Sequence, residues 1–574
     1  MNKKTLIIAI VAIIGIGGAI WFFSGSKNKL YAYVPKESIF VGKVSVASLF
    51  KKMDFEKIKK QDVVADAMEK IKDEAPKFVK EIMESPEKSG VNFKIDPVVF
   101  FNLDGEESNN MQGGILMAVD NKENIKKLIE NIGETNGVDY TFREDKDKGI
   151  EKAYPSDEDS RDFSFAWNND GLIIAFKVGY RNETNISSYA EKVLSIEKAD
   201  NIYENKGFRE LEKNGGDIGF FCNMKQVVKM LNNNSAMKQL YKDNDRAMAT
   251  MKNMEGFSSH INFEDAAVNW DSYAYYEDPE KNNTLKKDNL DKKFGDYTTS
   301  NGKSMGALGA NMNIEEIIKI AETVGASDDI NKEVIPNYTM KDILKMLTGE
   351  FAVSVSEFKE IEVTEMDMDY ETFEMYPVQR KRMLPVINIQ LGISKPADVK
   401  KILGFMAGNN SEMKTDGGIY SINSKLGDMH VVPQNDRLII STDPKAANIK
   451  SGESWQKPTN DNITKTLSEN AMALYVSLNP DDYPLKSMGE KLSKKTSEFM
   501  GMMQDLTMTS DNKKATLRLN LKKGEGNSLY RIINGVLKLG DFDNLFNSGS
   551  TTEEEIPAEE PAPMDSATAT EYVQ

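Results

Sequence analysis

Residues 168–176 read NNDGLIIAF and residues 434–442 read QNDRLIIST. Each places an Asn-Asp pair ahead of Leu-Ile-Ile, and each follows a second apolar run, FSFAW before the first and HVVP before the second. Asn and Asp tolerate the backbone of a tight turn, so both stretches are expected to be β-hairpins with Asp170 and Asp436 in their turns. The competing reading, a pair of catalytic carboxylates, requires the two hairpins to meet.

Other pieces recur in the same order at comparable offsets. FVGKVSVASLFKK from Phe40 matches MGALGANMNIEEIIK from Met305, an apolar strand running into a helix. GILMAVDNKENIKKLIENIG from Gly114 matches VINIQLGISKPADVKKILGFMAG from Val386, and DIGFFCNMKQVVKML from Asp217 matches MALYVSLNPDDYPLKSM from Met472. SSHINFEDAAVNWDSYAYYE from Ser258 matches LTMTSDNKKATLRLNLKK from Leu506, each an alternating hairpin with a polar tip. Ordered recurrence of this kind is the mark of a diverged tandem duplication. The expected fold class is α+β: two tandem homologous halves, each a mainly antiparallel sheet with helices on one face, after an N-terminal transmembrane helix. Asp120, Asn313 and Ser394 are suited to cap the helices that follow their strands, with Glu123 and Glu316 three positions beyond the first two.

The expected organisation is a cytoplasmic stub at 1–4, an anchor or signal segment at 5–23, a linker at 24–36 and a first repeat at 37–278. A linker at 279–303, a second repeat at 304–546 and a disordered acidic tail at 547–574 complete it. At 574 residues the chain exceeds what one hydrophobic core fills, and 40% apolar with 28% charged residues is the balance of a folded body. Thr5 to Phe23 carries no charge and follows Lys3 and Lys4, which favours a cytoplasmic N-terminus with the body outside, on the periplasmic side. Small residues at Ser24-Gly25-Ser26 keep open a secreted form, released by cleavage.

Composition removes several function classes. The formal net charge of −17 opposes nucleic acid, and no basic patch with interleaved aromatics offsets it. One cysteine, Cys222, allows no intramolecular disulfide, and with only His260 and His430 a structural zinc site lacks ligands. Cys222 reads as a small buried hydrophobe and both histidines as sheet residues. Gly302-Lys303-Ser304 lacks the earlier glycine of a phosphate loop, since Tyr297 stands there. Asp145-x-Asp147-x-Gly149 resembles part of a calcium loop, but Ser156 occupies the place of the bidentate Glu. No cofactor, metal or catalytic residue is therefore assigned. Of the 30 methionines, one cluster falls in EMDMDYETFEMYPVQRKRML from Glu365, an expected exposed insertion between strands where binding is commonly placed.

The segments YAYVPKESIFVGKVSVASLFKK from Tyr31, SGVNFKIDPVVFF from Ser89 and LTGEFAVSVSEF from Leu347, with the duplicated layout, resemble the bacterial DUF4836 family. That resemblance implies a cell-envelope protein of unknown function and supplies no catalytic residues. Many such relatives carry a lipobox cysteine, which this chain lacks near its N-terminus. Asp565-Ser566-Ala567 is similar to a short envelope O-glycosylation acceptor, which makes Ser566 a candidate modification site. The leading expectation is a non-catalytic, membrane-tethered binding or scaffolding protein, attached through residues 5–23 and engaging an envelope protein or glycan. The alternative is a glycan-active hydrolase using acidic residues in a cleft between the halves.

Overall fold

The computed structural model describes residues 28–103, 111–157, 162–178, 185–233, 251–278, 289–296, 304–323, 327–369, 372–409, 413–424, 427–443, 445–446, 461–483, 494–511 and 513–539. In the first part of the chain the strands are β1 (Phe40–Val44), β2 (Val98–Leu103), β3 (Met111–Ala118), β4 (Tyr140–Asp145), β5 (Ile150–Pro155), β6 (Phe163–Trp167), β7 (Gly171–Val178), β8 (Ile218–Asn223), β9 (Met254–Phe263) and β10 (Ala267–Tyr276). The second part adds β11 (Gly306–Asn311), β12 (Glu333–Ile335), β13 (Tyr338–Thr339), β14 (Leu347–Met368), β15 (Met375–Ile393), β16 (Met413–Asp416), β17 (Ile419–Ser424), β18 (Gly427–Pro433), β19 (Arg437–Ser441), β20 (Met472–Ser477), β21 (Met503–Ser510) and β22 (Lys514–Leu521). All but the small β12–β13 pair belong to one 20-stranded sheet, antiparallel at every pairing among the described residues.

The first ten strands pair in the order β4-β5-β6-β7-β3-β2-β1-β8-β9-β10. The later strands pair as β16-β17-β18-β19-β15-β14-β11-β20-β21-β22, which is the same order with each strand in the corresponding place. The two series meet where β10 pairs with β22, each the outer strand of its hairpin. The short β12–β13 pair lies between β11 and β14 in the chain and has no counterpart among the first ten strands.

The expectation of helices on one face is corrected. The run Leu172-Ile173-Ile174-Ala175 is buried on both sides, as a nearly continuous apolar strand requires. Leu172 and Ile174 pack with Met117, Phe165 and Trp167 beneath Ile125 and Ile129 of the helix Lys122–Asn136. Ile173 and Ala175 belong to the opposite cluster, with Ala190 and Val193 of the helix Ile186–Leu194. The cap is also corrected: Asn121, one residue past Asp120, accepts the Asn124 N–H at 3.0 Å. Asn313 does cap the second helix, its side-chain oxygen accepting the Glu316 N–H at 3.5 Å.

The two segments read as linkers also contribute core. Leu30 and Tyr31 lie inside the first cluster, and Leu290 and Phe294 pack with Ala307, Ile463 and Leu467 in the second part. Among the described residues no helix is long and apolar enough to cross a membrane. Residues 5–23, the tail from 547 and Ser566 lie outside the described residues.

Candidate functional site

β14 and β15 leave the sheet as a two-stranded ribbon. Inside the sheet β14 pairs with β11 as far as Val355, and the β14–β15 register then shifts between Val355 and Phe358. Beyond that bulge the two strands pair only with each other, from Phe358 opposite Pro385 to Met368 opposite Met375. Eleven residues per strand, ten steps of about 3.4 Å, carry the tip about 34 Å outward. No described residue from Glu357 to Pro385 is buried, while Ser356 and Val386 are. Cross-strand ion pairs stiffen the stalk: Lys381 to Glu360 at 2.9 Å, and Arg380 to Asp367.

The tip is apolar and exposed. Phe373 is 73% exposed, Met366 58%, Met375 55% and Tyr376 46%, so about half or more of each of these side chains faces solvent and none is buried among the described residues. Phe373 adopts φ 59°, the left-handed region that bulky residues avoid at a cost of about 1–2 kcal/mol. The turn that imposes it is closed by the Phe373 N–H donating to Asp369 O at 2.7 Å and the Asp369 N–H donating to Glu374 O at 2.9 Å. Met366, Met368, Met375 and Pro377 share one ribbon face by register. From Glu365 to Pro377 the sequence carries five carboxylates and no Lys or Arg. The Met-rich cluster is thus a paired ribbon instead of an irregular loop, and its Met-Asp-Met-Asp alternation is the period of a strand.

The hairpins at residues 168–176 and 434–442 sit elsewhere. Asn168 Oδ1 accepts the N–H groups of Asp170 and Gly171, both at 2.9 Å, and the Gln434 N–H donates to Arg437 O at 2.9 Å, so both stretches are tight turns. Asp170 O accepts the Val119 N–H at 3.2 Å and Asp436 O accepts the Ile393 N–H at 2.9 Å, the same tie to the neighbouring strand end in both series. Thirteen strand spacings separate β7 from β19, about 60 Å along the sheet, so the two carboxyls do not meet. Burial would raise the Asp436 carboxyl, but Lys293 at 2.9 Å and Arg437 at 3.2 Å hold it below its ordinary value.

The other candidates resolve locally. Asp145 Oδ1 accepts the Asp147 and Lys148 N–H groups at 3.1 and 3.3 Å, so the calcium-like motif is the β4–β5 turn. Among the described residues no group of three or more His, Cys, Asp or Glu side chains could hold a metal ion. Burial pushes the Cys222 thiol up to about 11, away from thiolate chemistry. His260 Nδ1 lies 2.8 Å from Gly215 O and burial lowers its pKa; His430 Nδ1 lies 2.8 Å from Ser421 Oγ. Gly302 and Lys303 lie outside the described residues.

Where the two series meet, β10 and β22 share a ladder. Its carboxylates are engaged: Asp271 with Lys514 at 3.0 Å and with Thr516 Oγ1 at 2.5 Å, and Glu264 with Arg518 at 3.1 Å.

A two-series antiparallel α+β sheet with a projecting ribbon defines the class of protein. The chain belongs to the family described as "Domain of unknown function (DUF4836)", which matches residues 31–362, from the first core segment through β13 and into the ribbon strand β14. No curated protein matches the chain. Among solved structures, crystal form I of TP0453 is similar at TM-score 0.22 and 9% identity over 53% of this chain and 87% of that one. Crystal form III of TP0453 follows at TM-score 0.21 and 7% identity over 44% and 80%. Likeness at these scores carries no argument about fold or function.

Proposed function

We propose that this protein is a non-catalytic, membrane-tethered binding or scaffolding protein of the bacterial envelope, its body on the periplasmic side, built from two tandem homologous halves. The ribbon carries the proposal: a paired stalk whose apolar tip side chains are exposed, with none buried among the described residues, is shaped to be covered by another protein. Five carboxylates around that tip disfavour an anionic lipid surface and suit a protein whose apolar pocket is rimmed by Lys or Arg. Tethering rests on the charge-free Thr5 to Phe23 behind Lys3 and Lys4. The duplication is supported by the repeated strand order and by the matching Val119–Asp170 and Ile393–Asp436 backbone ties. Ser566 is proposed as an O-glycan acceptor, which intact mass of wild type and Ser566→Ala tests. The proposed docking is tested by photo-crosslinking in cells from position 373, with position 147 in the β4–β5 turn as control. A discrete adduct from 373 alone is expected; equal smears from both positions would refute the ribbon as a docking element.

A further inference from the structure

Beyond the bulge the ribbon has two open edges, and they are not alike. In an antiparallel pair, residues that exchange hydrogen bonds alternate with residues whose N–H and C=O groups point outward. Pro385 O accepts from Thr442 Oγ1 at 3.4 Å, on the side away from β14, so Pro385 and its partner Phe358 belong to the outward set. At the far end the Asp369 N–H donates to Glu374 O at 2.9 Å, which makes Met366 and Pro377, three pairs away, outward as well. The two ends agree, so the outward set is every second residue from Phe358 to Met366 on β14 and from Pro377 to Pro385 on β15.

Proline has no N–H, so the β15 edge begins and ends on a position that cannot donate. Edge strands are closed to further pairing in this way. The β14 edge carries no proline, and among the described residues no strand pairs with its outward groups beyond Val355, where β11 ends. The next outward N–H past Met366, that of Met368, is taken by the Asp367 carboxylate at 3.0 Å, which ends the open stretch. Charge says what fits there. From Glu357 to Asp367, β14 carries five carboxylates against Lys359 alone. A second copy of this strand would set carboxylate beside carboxylate, whereas a strand with Lys or Arg at alternate positions sets opposite charges side by side.

We propose that the partner protein adds an extended, basic segment as a strand to the β14 edge from Phe358 to Met366, along the line that β11 leaves at Val355. Eight residue steps of about 3.4 Å give a ladder of about 27 Å, in which the backbone holds the segment and the carboxylates select its charge. This inference rests on the ribbon being a docking element, and it adds which edge is used and what chemistry the partner presents. Its test is the yield of the in-cell photo-crosslink from position 373 of the full chain, in wild type, Glu362→Pro and Met383→Pro. Both substitutions fall in the outward set, so neither removes a β14–β15 hydrogen bond. The adduct is expected to fall at least ten-fold in Glu362→Pro and to persist in Met383→Pro. Persistence in both, or equal loss from both, overturns strand addition and leaves the ribbon as a docking element; no adduct in wild type overturns both readings. An adduct of twice the chain's mass would make the partner a second copy and overturn the basic segment. Should a proline variant melt below wild type, Glu362→Lys, which leaves the backbone intact, decides: loss of the adduct supports the basic segment, and an unchanged yield overturns it.

Discussion

Trp270 and Leu517 face each other across the β10–β22 ladder, at the centre of a register that runs from Ala267 opposite Asn520 to Tyr273 opposite Lys514. β10 is reached from β9 through Glu264 to Ala266, and β22 from β21 through Asp511 to Lys513. The same hairpin of each series therefore supplies the join, approached from opposite sides, and neither β10 nor β22 is left as a free edge. Leu517→Pro removes a backbone donor from the interior of this sheet and costs about 3 kcal/mol. The expected calorimetric result is that one unfolding transition separates into two; an unchanged single transition would show that the ladder does not couple the series.

Phe373 combines high exposure with a left-handed backbone. Phe373→Asn, which tolerates that conformation, is expected to leave the melting temperature unchanged or slightly raised, by up to about 1 kcal/mol. Loss of a phenyl ring without loss of stability is the behaviour of a residue kept for contact with something else. A drop in chemical stability by denaturant titration would mean that the ring packs at home.

Ile173 is fully buried between two strands and against the helix that follows them. Ile173→Ala is expected to cost about 2–5 kcal/mol, read as a shift of the urea midpoint. Its neighbour Leu172 faces the other cluster, so Leu172→Ala should cost a comparable amount; a sheet with one solvated face would show only one of the two losses.

Glu191 accepts from Lys148 at 2.7 Å and Lys152 at 2.6 Å, and these two bonds hold its pKa at about 2. Its folded pKa is depressed, so its contribution is present above the unfolded value near 4.5 and is lost as pH falls from there towards 2. With most of the side chain shielded but the lysines partly in solvent, that contribution is about 1–3 kcal/mol. Acid titration of Glu191→Gln should therefore show a shallower loss of stability across that window than wild type, and parallel curves would remove the ion pairs from the account.

Much of this was legible because it is local. Asn168 to Gly171 and Gln434 to Arg437 are turns written in residues that make turns, and alternating runs such as those from Ser258 and Leu506 became hairpins. Helices on the second face were missed because a run like Leu-Ile-Ile-Ala carries no record of which side is covered. Leu290 and Phe294 stand four apart, the spacing of one helix face, but two apolar residues in an otherwise polar stretch do not by themselves mark a core contribution. The Ser354, Ser356, Asn388 and Gln390 positions alternate with apolar neighbours, which in sequence means a solvated face; only the packed structure places them inside.

The most direct measurement is co-purification from detergent-extracted membranes of the full chain, wild type beside a Phe373→Ser, Met375→Ser variant of equal melting temperature. Wild type is expected to carry one partner in fixed ratio that the variant loses. Recovery of the same partner by both, or of the chain alone from both, would contradict a docking role for the ribbon.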